Sequence, residues 1–238
     1  MFDDSPRPSP RIIGAIWLAY FVLSGIGASL TQDGPMAANL TEAVSRIVDH
    51  QSVYRAGLGV TLIANGLYIV LSAFLYGLFA RINRSVALAA ALLSVTGCIV
   101  QIVAAVLQWT PIVLHGDAAL AATLTPEQLR TAMLLSLKVY RQTFSVSLPM
   151  FALFNLFLGF LIYRSRYLPR VFAVFFFVAG SAWIISMWSP SPQPFQYLSL
   201  ASSGLAEVGT SLWLVIKSVD ISRWRTAAAS EGSSSSSG

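Results

Sequence analysis

The sequence is poor in cysteine, histidine and charge: its 238 residues include 1 cysteine, 2 histidines and only 11% Asp, Glu, Lys and Arg. A lone Cys98 closes no intrachain disulfide and provides no thiolate cluster for a metal. His50 and His115 stand far apart near the ends of apolar segments, so no zinc or copper spacing forms around them. The residues point to no metal and no cofactor. A charged fraction of 11% is less than half of the roughly 25% usual for soluble domains, too little to coat a globule in water. Disorder fails on the opposite count, because 55% of the residues are hydrophobic and the mean hydropathy is +0.68. What remains is a polytopic membrane protein.

Motifs of soluble chemistry are missing as well. No G-x-x-x-x-G-K-S/T phosphate loop occurs, and the pairs Gly25/Gly27 and Gly57/Gly59 lack the third glycine of a dinucleotide fingerprint. Neither a H-E-x-x-H helix nor a G-x-S-x-G nucleophile elbow is present. The net charge of +5 reads as topology rather than as nucleic-acid binding, since basic residues collect in the cytoplasmic loops of membrane proteins.

Six apolar runs are there instead, at 12–30, 57–80, 86–114, 143–163, 171–189 and 197–216. Each approaches or exceeds the roughly 20 residues a helix needs to cross the hydrocarbon core. The first run is too long for a signal-peptide core and lacks a clean cleavage site, so it reads as an uncleaved helix. In lipid every backbone amide must be satisfied within the segment, and the alternation of a barrel strand is absent, so the spans are helices. Residues 1–10 read as a cytoplasmic tail and 11–220 as one six-helix domain. Residues 221–238, which end in a serine run, read as a flexible tail or appended linker.

An even number of spans places both termini on one side. The set Arg7, Arg11, Arg81, Arg84, Arg164, Arg166, Arg170, Lys217, Arg223 and Arg225 would share that side, against Arg46, Arg55, Arg130, Lys138 and Arg141 on the other. Ten of the 15 Lys and Arg thus sit with the termini, which makes both termini cytoplasmic. The 31–56 loop is then extracytoplasmic and holds an amphipathic helix, with Leu40, Val44, Ile47 and Val48 at helical spacing. That helix either lies on the membrane or caps the bundle. Asn39-Leu40-Thr41 matches a glycosylation sequon by chance. Thr125-Pro126-Glu127-Gln128 predicts a helix start, with Thr125 as cap and Gln128 reaching back to it.

Arg11-Ile12-Ile13-Gly14-Ala15, Val53-Tyr54-Arg55-Ala56-Gly57 and Leu161-Ile162-Tyr163-Arg164-Ser165-Arg166-Tyr167-Leu168-Pro169-Arg170 stand at the openings of the first and second spans and the close of the fourth. With Glu207 and Leu212-Trp213-Leu214-Val215-Ile216-Lys217 in the sixth span, they give a chain that resembles an uncharacterised bacterial integral-membrane family, domain of unknown function 4386. The resemblance runs from about residue 11 to 220. It departs at Lys138-Val139-Tyr140-Arg141, where an aromatic or histidine-bearing outer turn is expected. It implies a six-helix bacterial inner-membrane protein and brings no reaction with it.

Polar groups inside the spans are the candidates for function. At a rise of about 1.5 Å per residue from the inner helix ends, Glu207 and Asn155 come about 12–14 Å deep, near the middle of a core about 30 Å thick. Asn65 and Gln101 share a level about 22 Å up. Small and hydroxyl neighbours, such as Ser203, Gly204, Thr210 and Ser211 around Glu207, favour helix contact over lipid exposure. The three amides read as interhelical hydrogen bonds. Glu207 reads as a neutral hydrogen-bonded carboxyl with Asn155 as partner, or as a proton, cation or ligand site. Lys217, at the cytoplasmic end of the last span, reads as a snorkelling anchor.

Nearer the outer face, Arg55, Lys138 and Arg141 join Gln108 and His115. They are either an interfacial belt that touches lipid phosphates or a cationic vestibule for an anionic ligand. Pro111 and Pro149 each remove an amide donor within a span. Three functions follow. The first is a small-molecule or lipid binding and transport module with an outward-opening polar cavity, as a homodimer if it transports. The others are a membrane enzyme acting on a lipid or isoprenoid, and a structural or regulatory partner without a ligand. Membrane lipids and an anionic or amphipathic small ligand are the expected partners, and the bacterial cytoplasmic membrane the expected location.

Overall fold

The structure is a computed structural model, and it describes residues 9–31, 39–165 and 168–217. Both tails lie outside the described residues, and with them Arg7, Arg166, Arg223 and Arg225 of the basic set. In chain order the helices are α1 (Pro10–Thr31), α2 (Leu40–Asp49), α3 (Gln51–Phe79), α4 (Arg84–Gly116), the short α5 (Ala118–Thr123), α6 (Pro126–Ser165), α7 (Arg170–Trp188) and α8 (Gln193–Ile216). The described chain is all-helical. Six of these helices, α1, α3, α4, α6, α7 and α8, are long and apolar enough to cross a membrane, which marks an integral membrane protein. Exposed Val22, Ile63, Val106 and Leu205 cover their outward faces, as expected of helices whose solvent is lipid.

Local side chains set several boundaries. At the start of α6, the Thr125 amide donates to Gln128 Oε1 at 2.9 Å and the Gln128 amide donates to Thr125 Oγ1 at 3.3 Å. This reciprocal capping box satisfies two otherwise orphaned amides. The helix then runs unbroken for 40 residues, about 60 Å, through Pro149. The polar-flecked segment from Pro126 and the apolar run after it are therefore one helix. Thr125→Ala is expected to cost about 1 kcal/mol locally and to speed amide exchange at Gln128, with global melting little changed. Unaltered exchange at that amide would mean that the cap contributes nothing. Asn83 caps α4 through the Val86 amide. The sequon residue Asn39 is the N-cap of α2, accepting from the amides of Thr41 at 3.1 Å and Glu42 at 3.4 Å.

The chain divides into two compact units, the first made of Met1–Ala19, Tyr68–Val95 and Pro149–Gly238, the second of Tyr20–Leu67 and Thr96–Leu148. In the first unit α7 and α8 pair closely, and the Ser199 hydroxyl donates to the Ala179 carbonyl at 2.7 Å. Ser72 of α3 and Ser94 of α4 share a hydrogen bond of 2.7 Å, wholly buried. Such paired hydroxyls join helices in lipid, where an unpaired polar group has no water to turn to.

In the second unit α2 turns its apolar face inward. Val44 and Ile47 enter one buried cluster with Tyr54, Leu58, Ile112, Met133 and Leu137, drawn from α3, α4 and α6. Of the two placements read for this amphipathic helix, packing against other helices is the one observed. Glu42 stays outside and pairs loosely with Arg46 at 3.8 Å.

Candidate functional site

Gly14 sits three residues before Trp17, on the first turns of α1. A Cβ at Gly14 would stand 2.7 Å from the Ser211 carbonyl oxygen of α8. The missing side chain lets the two backbones approach, and that approach brings Trp17 to Glu207. Trp17 is fully buried, at 0% exposure, and its Nε1 donates to Glu207 Oε2 at 3.0 Å. The Tyr68 hydroxyl of α3 hydrogen-bonds the same carboxyl. Tyr68 is itself 4% exposed and meets Phe151 and Phe154 edge-on, with centroids 6.1 and 6.2 Å away. Trp17 packs along Phe176 at 6.4 Å. A carboxyl thus stands among aromatic rings from α1, α3, α6 and α7, all within the first unit.

The chemistry of this arrangement is specific. An indole N–H only donates, so Glu207 Oε2 acts as an acceptor. The two partners that hold the group are both neutral. Three residues further along α8, the Thr210 hydroxyl is buried without a hydrogen-bond partner among the described residues.

The structure redistributes the other candidates. Asn155 is buried in the same unit, but the hydrogen bonds of Glu207 go to Trp17 and Tyr68 and not to it. Depth counting ignored the direction each side chain takes around its helix axis, and a partner needs both. In the second unit Gln101 Nε2 donates to Ser147 Oγ at 3.2 Å, an interhelical bond from α4 to α6 of the kind expected. Asn65 instead donates to the Thr61 carbonyl of its own helix at 3.0 Å, because a local backbone acceptor outcompetes a distant one. Gln108 bonds the Tyr140 hydroxyl. Arg55, Lys138 and His115 are exposed, and Arg141 is half-buried.

A cavity of about 20 Å³ does open in this unit, but Arg55, Lys138 and Arg141 do not line it. Its walls come from the end of α1, from α2 and from Tyr54. Among the described residues no three His, Cys, Asp or Glu side chains gather as a metal site needs.

A family model described as a domain of unknown function, DUF4386, matches residues 12–218, the whole set of six spans. The chain belongs to DUF4386. No curated protein and no solved structure matches it. The DUF4386 match starts two residues before Gly14 and ends beyond Glu207, so the Trp17–Glu207–Tyr68 group lies wholly inside the family's domain. Trp17 and Tyr68 were not among the sequence candidates. The signal for Trp17 was present: an indole N–H inside an apolar span must find an acceptor in lipid.

Proposed function

We propose that this DUF4386 member is a membrane module that binds, and as a homodimer transports, a small molecule or lipid, with Glu207 as its ionisable centre. The observation that carries this reading is the Trp17 Nε1–Glu207 Oε2 hydrogen bond of 3.0 Å within spanning helices. Keeping a carboxyl at such depth costs several kcal/mol by many estimates, and a neutral amide or hydroxyl oxygen would accept from Trp17 without that cost. Asn155 is proposed as a further ligand contact in the first unit. In the second unit Asn65, Gln101, Arg55, Lys138 and Arg141 are proposed as ligand contacts of their own, the three cations for an anionic group. The ten-to-five division of the 15 basic residues supports cytoplasmic termini and an extracytoplasmic α2, in the bacterial cytoplasmic membrane.

Glu207→Gln separates function from folding. The amide oxygen still accepts from Trp17 and the amide nitrogen can donate to the Tyr68 oxygen, so melting in detergent is expected to shift little. Native mass spectrometry of the purified protein is expected to show a co-purifying molecule in wild type that is lost in Glu207→Gln. An identical adduct in both proteins, or none in wild type, would sink the reading. A large drop in melting temperature would mean that the carboxyl serves the fold itself.

A further inference from the structure

We propose that the cavity beneath α2 binds an oxyanion group, a phosphate or carboxylate carried by a lipid headgroup or by a free small molecule. The polar residues that line it all carry donors or donor-capable groups: Arg46, His50 and Tyr54, with Thr31 beside them. Ala43 and Ile47 supply apolar wall. Among the described residues no carboxylate lines it. Thr31 Oγ1 already donates to the Gly27 carbonyl at 3.0 Å and the Ala28 carbonyl at 3.1 Å, so it makes no demand on an occupant.

Two of the lining groups lack what they need. Tyr54 is 3% exposed, and its hydroxyl is buried with no hydrogen-bond partner among the described residues. Arg46 Nε is buried and unpartnered in the same sense, while Nη2 of the same guanidinium faces Glu42 at 3.8 Å. Buried donors without acceptors are rare and destabilising. Here two of them belong to residues that line one hollow, and one is part of a permanent cation. A single acceptor-rich, negatively charged group satisfies both, and guanidinium with oxyanion is the stronger kind of hydrogen bond.

The size agrees with a group that enters by its oxygens. About 20 Å³ holds one or two oxygen-sized atoms, and the hollow is partly open, so the rest of the molecule stays outside. Water fits the same space, and the experiment is chosen to separate the two. This site is independent of the Glu207 reading, and either can fail alone.

The test uses the full-length protein in a neutral detergent. One arm follows melting temperature against sodium phosphate at constant ionic strength. The other adds phosphatidylglycerol or phosphatidylcholine and reads retained lipid by native mass spectrometry. Wild type is expected to be stabilised by phosphate, to retain phosphatidylglycerol over phosphatidylcholine, or both. A phosphate response identifies a free oxyanion as sufficient, and a response to the lipid alone identifies a headgroup. Arg46→Gln and Tyr54→Phe are each expected to weaken the response about tenfold, and Arg46→Lys to keep part of it. Without either probe, Tyr54→Phe is expected to melt no lower than wild type, because it removes only an unpaired hydroxyl. Indifference of wild type to both probes, or equal responses in wild type and Arg46→Gln, would overturn the proposal and leave water as the occupant.

Discussion

Trp17→Ala is expected to destabilise the protein by about 3–5 kcal/mol, the range for deleting a fully buried large aromatic side chain. The indole is 0% exposed, lies along Phe176 and anchors α1 to Glu207 of α8. Two contributions are lost together, and their sizes differ. Interhelical hydrogen bonds between spanning helices average about 0.6 kcal/mol and reach about 1.7, so packing carries most of the loss. Trp17→Phe, which keeps a ring and removes the N–H, should therefore cost well under half of Trp17→Ala. Reversible unfolding in mixed detergent measures both. Equal losses in the two variants would reverse the assignment and make the hydrogen bond the main element. Combined with Glu207→Leu, Trp17→Phe closes a double-mutant cycle whose coupling energy is the worth of the pair.

What could be read from the residues alone divides by dimension. The six spans were legible because hydropathy along one chain is a one-dimensional signal. The Thr125–Gln128 capping box was legible because its partners lie three residues apart. Glu207 stood out for the same kind of reason, as an acidic residue inside an apolar run. Its partners did not, because they come from α1 and α3, more than a hundred residues away in the chain. Counting rise along each helix gave depth but not azimuth, and it paired Glu207 with Asn155. The same count places Trp17, seven residues from the start of α1, about 10 Å deep, close to Glu207, and the indole N–H was the clue that it needed an acceptor. Asn65 shows the opposite limit: its level matched Gln101, yet a carbonyl one turn back on its own helix was nearer.

The cavity of the second unit is lined by a cation other than Arg55, Lys138 and Arg141. Arg55, Lys138 and Arg141 attracted attention because they oppose the positive-inside trend. The structure leaves Arg55 and Lys138 exposed and builds its cavity around Arg46, His50 and Tyr54 instead. Arg46 belongs to α2. Burying the apolar face, through Ala43, Val44 and Ile47, brings the guanidinium stem down with it, so that Nε becomes buried while the end stays near Glu42. A long side chain at the edge of an amphipathic helix can be exposed at one atom and enclosed at another.

Gly14 and Gly25 lie on the same helix, and alanine at the two positions is expected to act with opposite sign. At Gly25 an added Cβ meets nothing within 4 Å, so Gly25→Ala gains helix propensity, about 1 kcal/mol at most. At Gly14 the Cβ would stand 2.7 Å from the Ser211 carbonyl oxygen and 2.9 Å from both Leu214 Cβ and Val215 Cγ2. A backbone oxygen cannot swing aside as a side-chain end can, so α1 must move away from α8. Overpacking of this kind costs about 1–3 kcal/mol, which exceeds the propensity gain at the same residue. The displacement also acts one turn further on, where the Trp17–Glu207 bond is 3.0 Å long; an added ångström of separation would break it. Gly14→Ala is therefore expected to lower stability in detergent and to shrink the Trp17–Glu207 coupling energy, and Gly14→Val to do both more severely. A Gly14→Ala protein as stable as wild type, with the coupling intact, would show that close approach of α1 to α8 does not position the carboxyl.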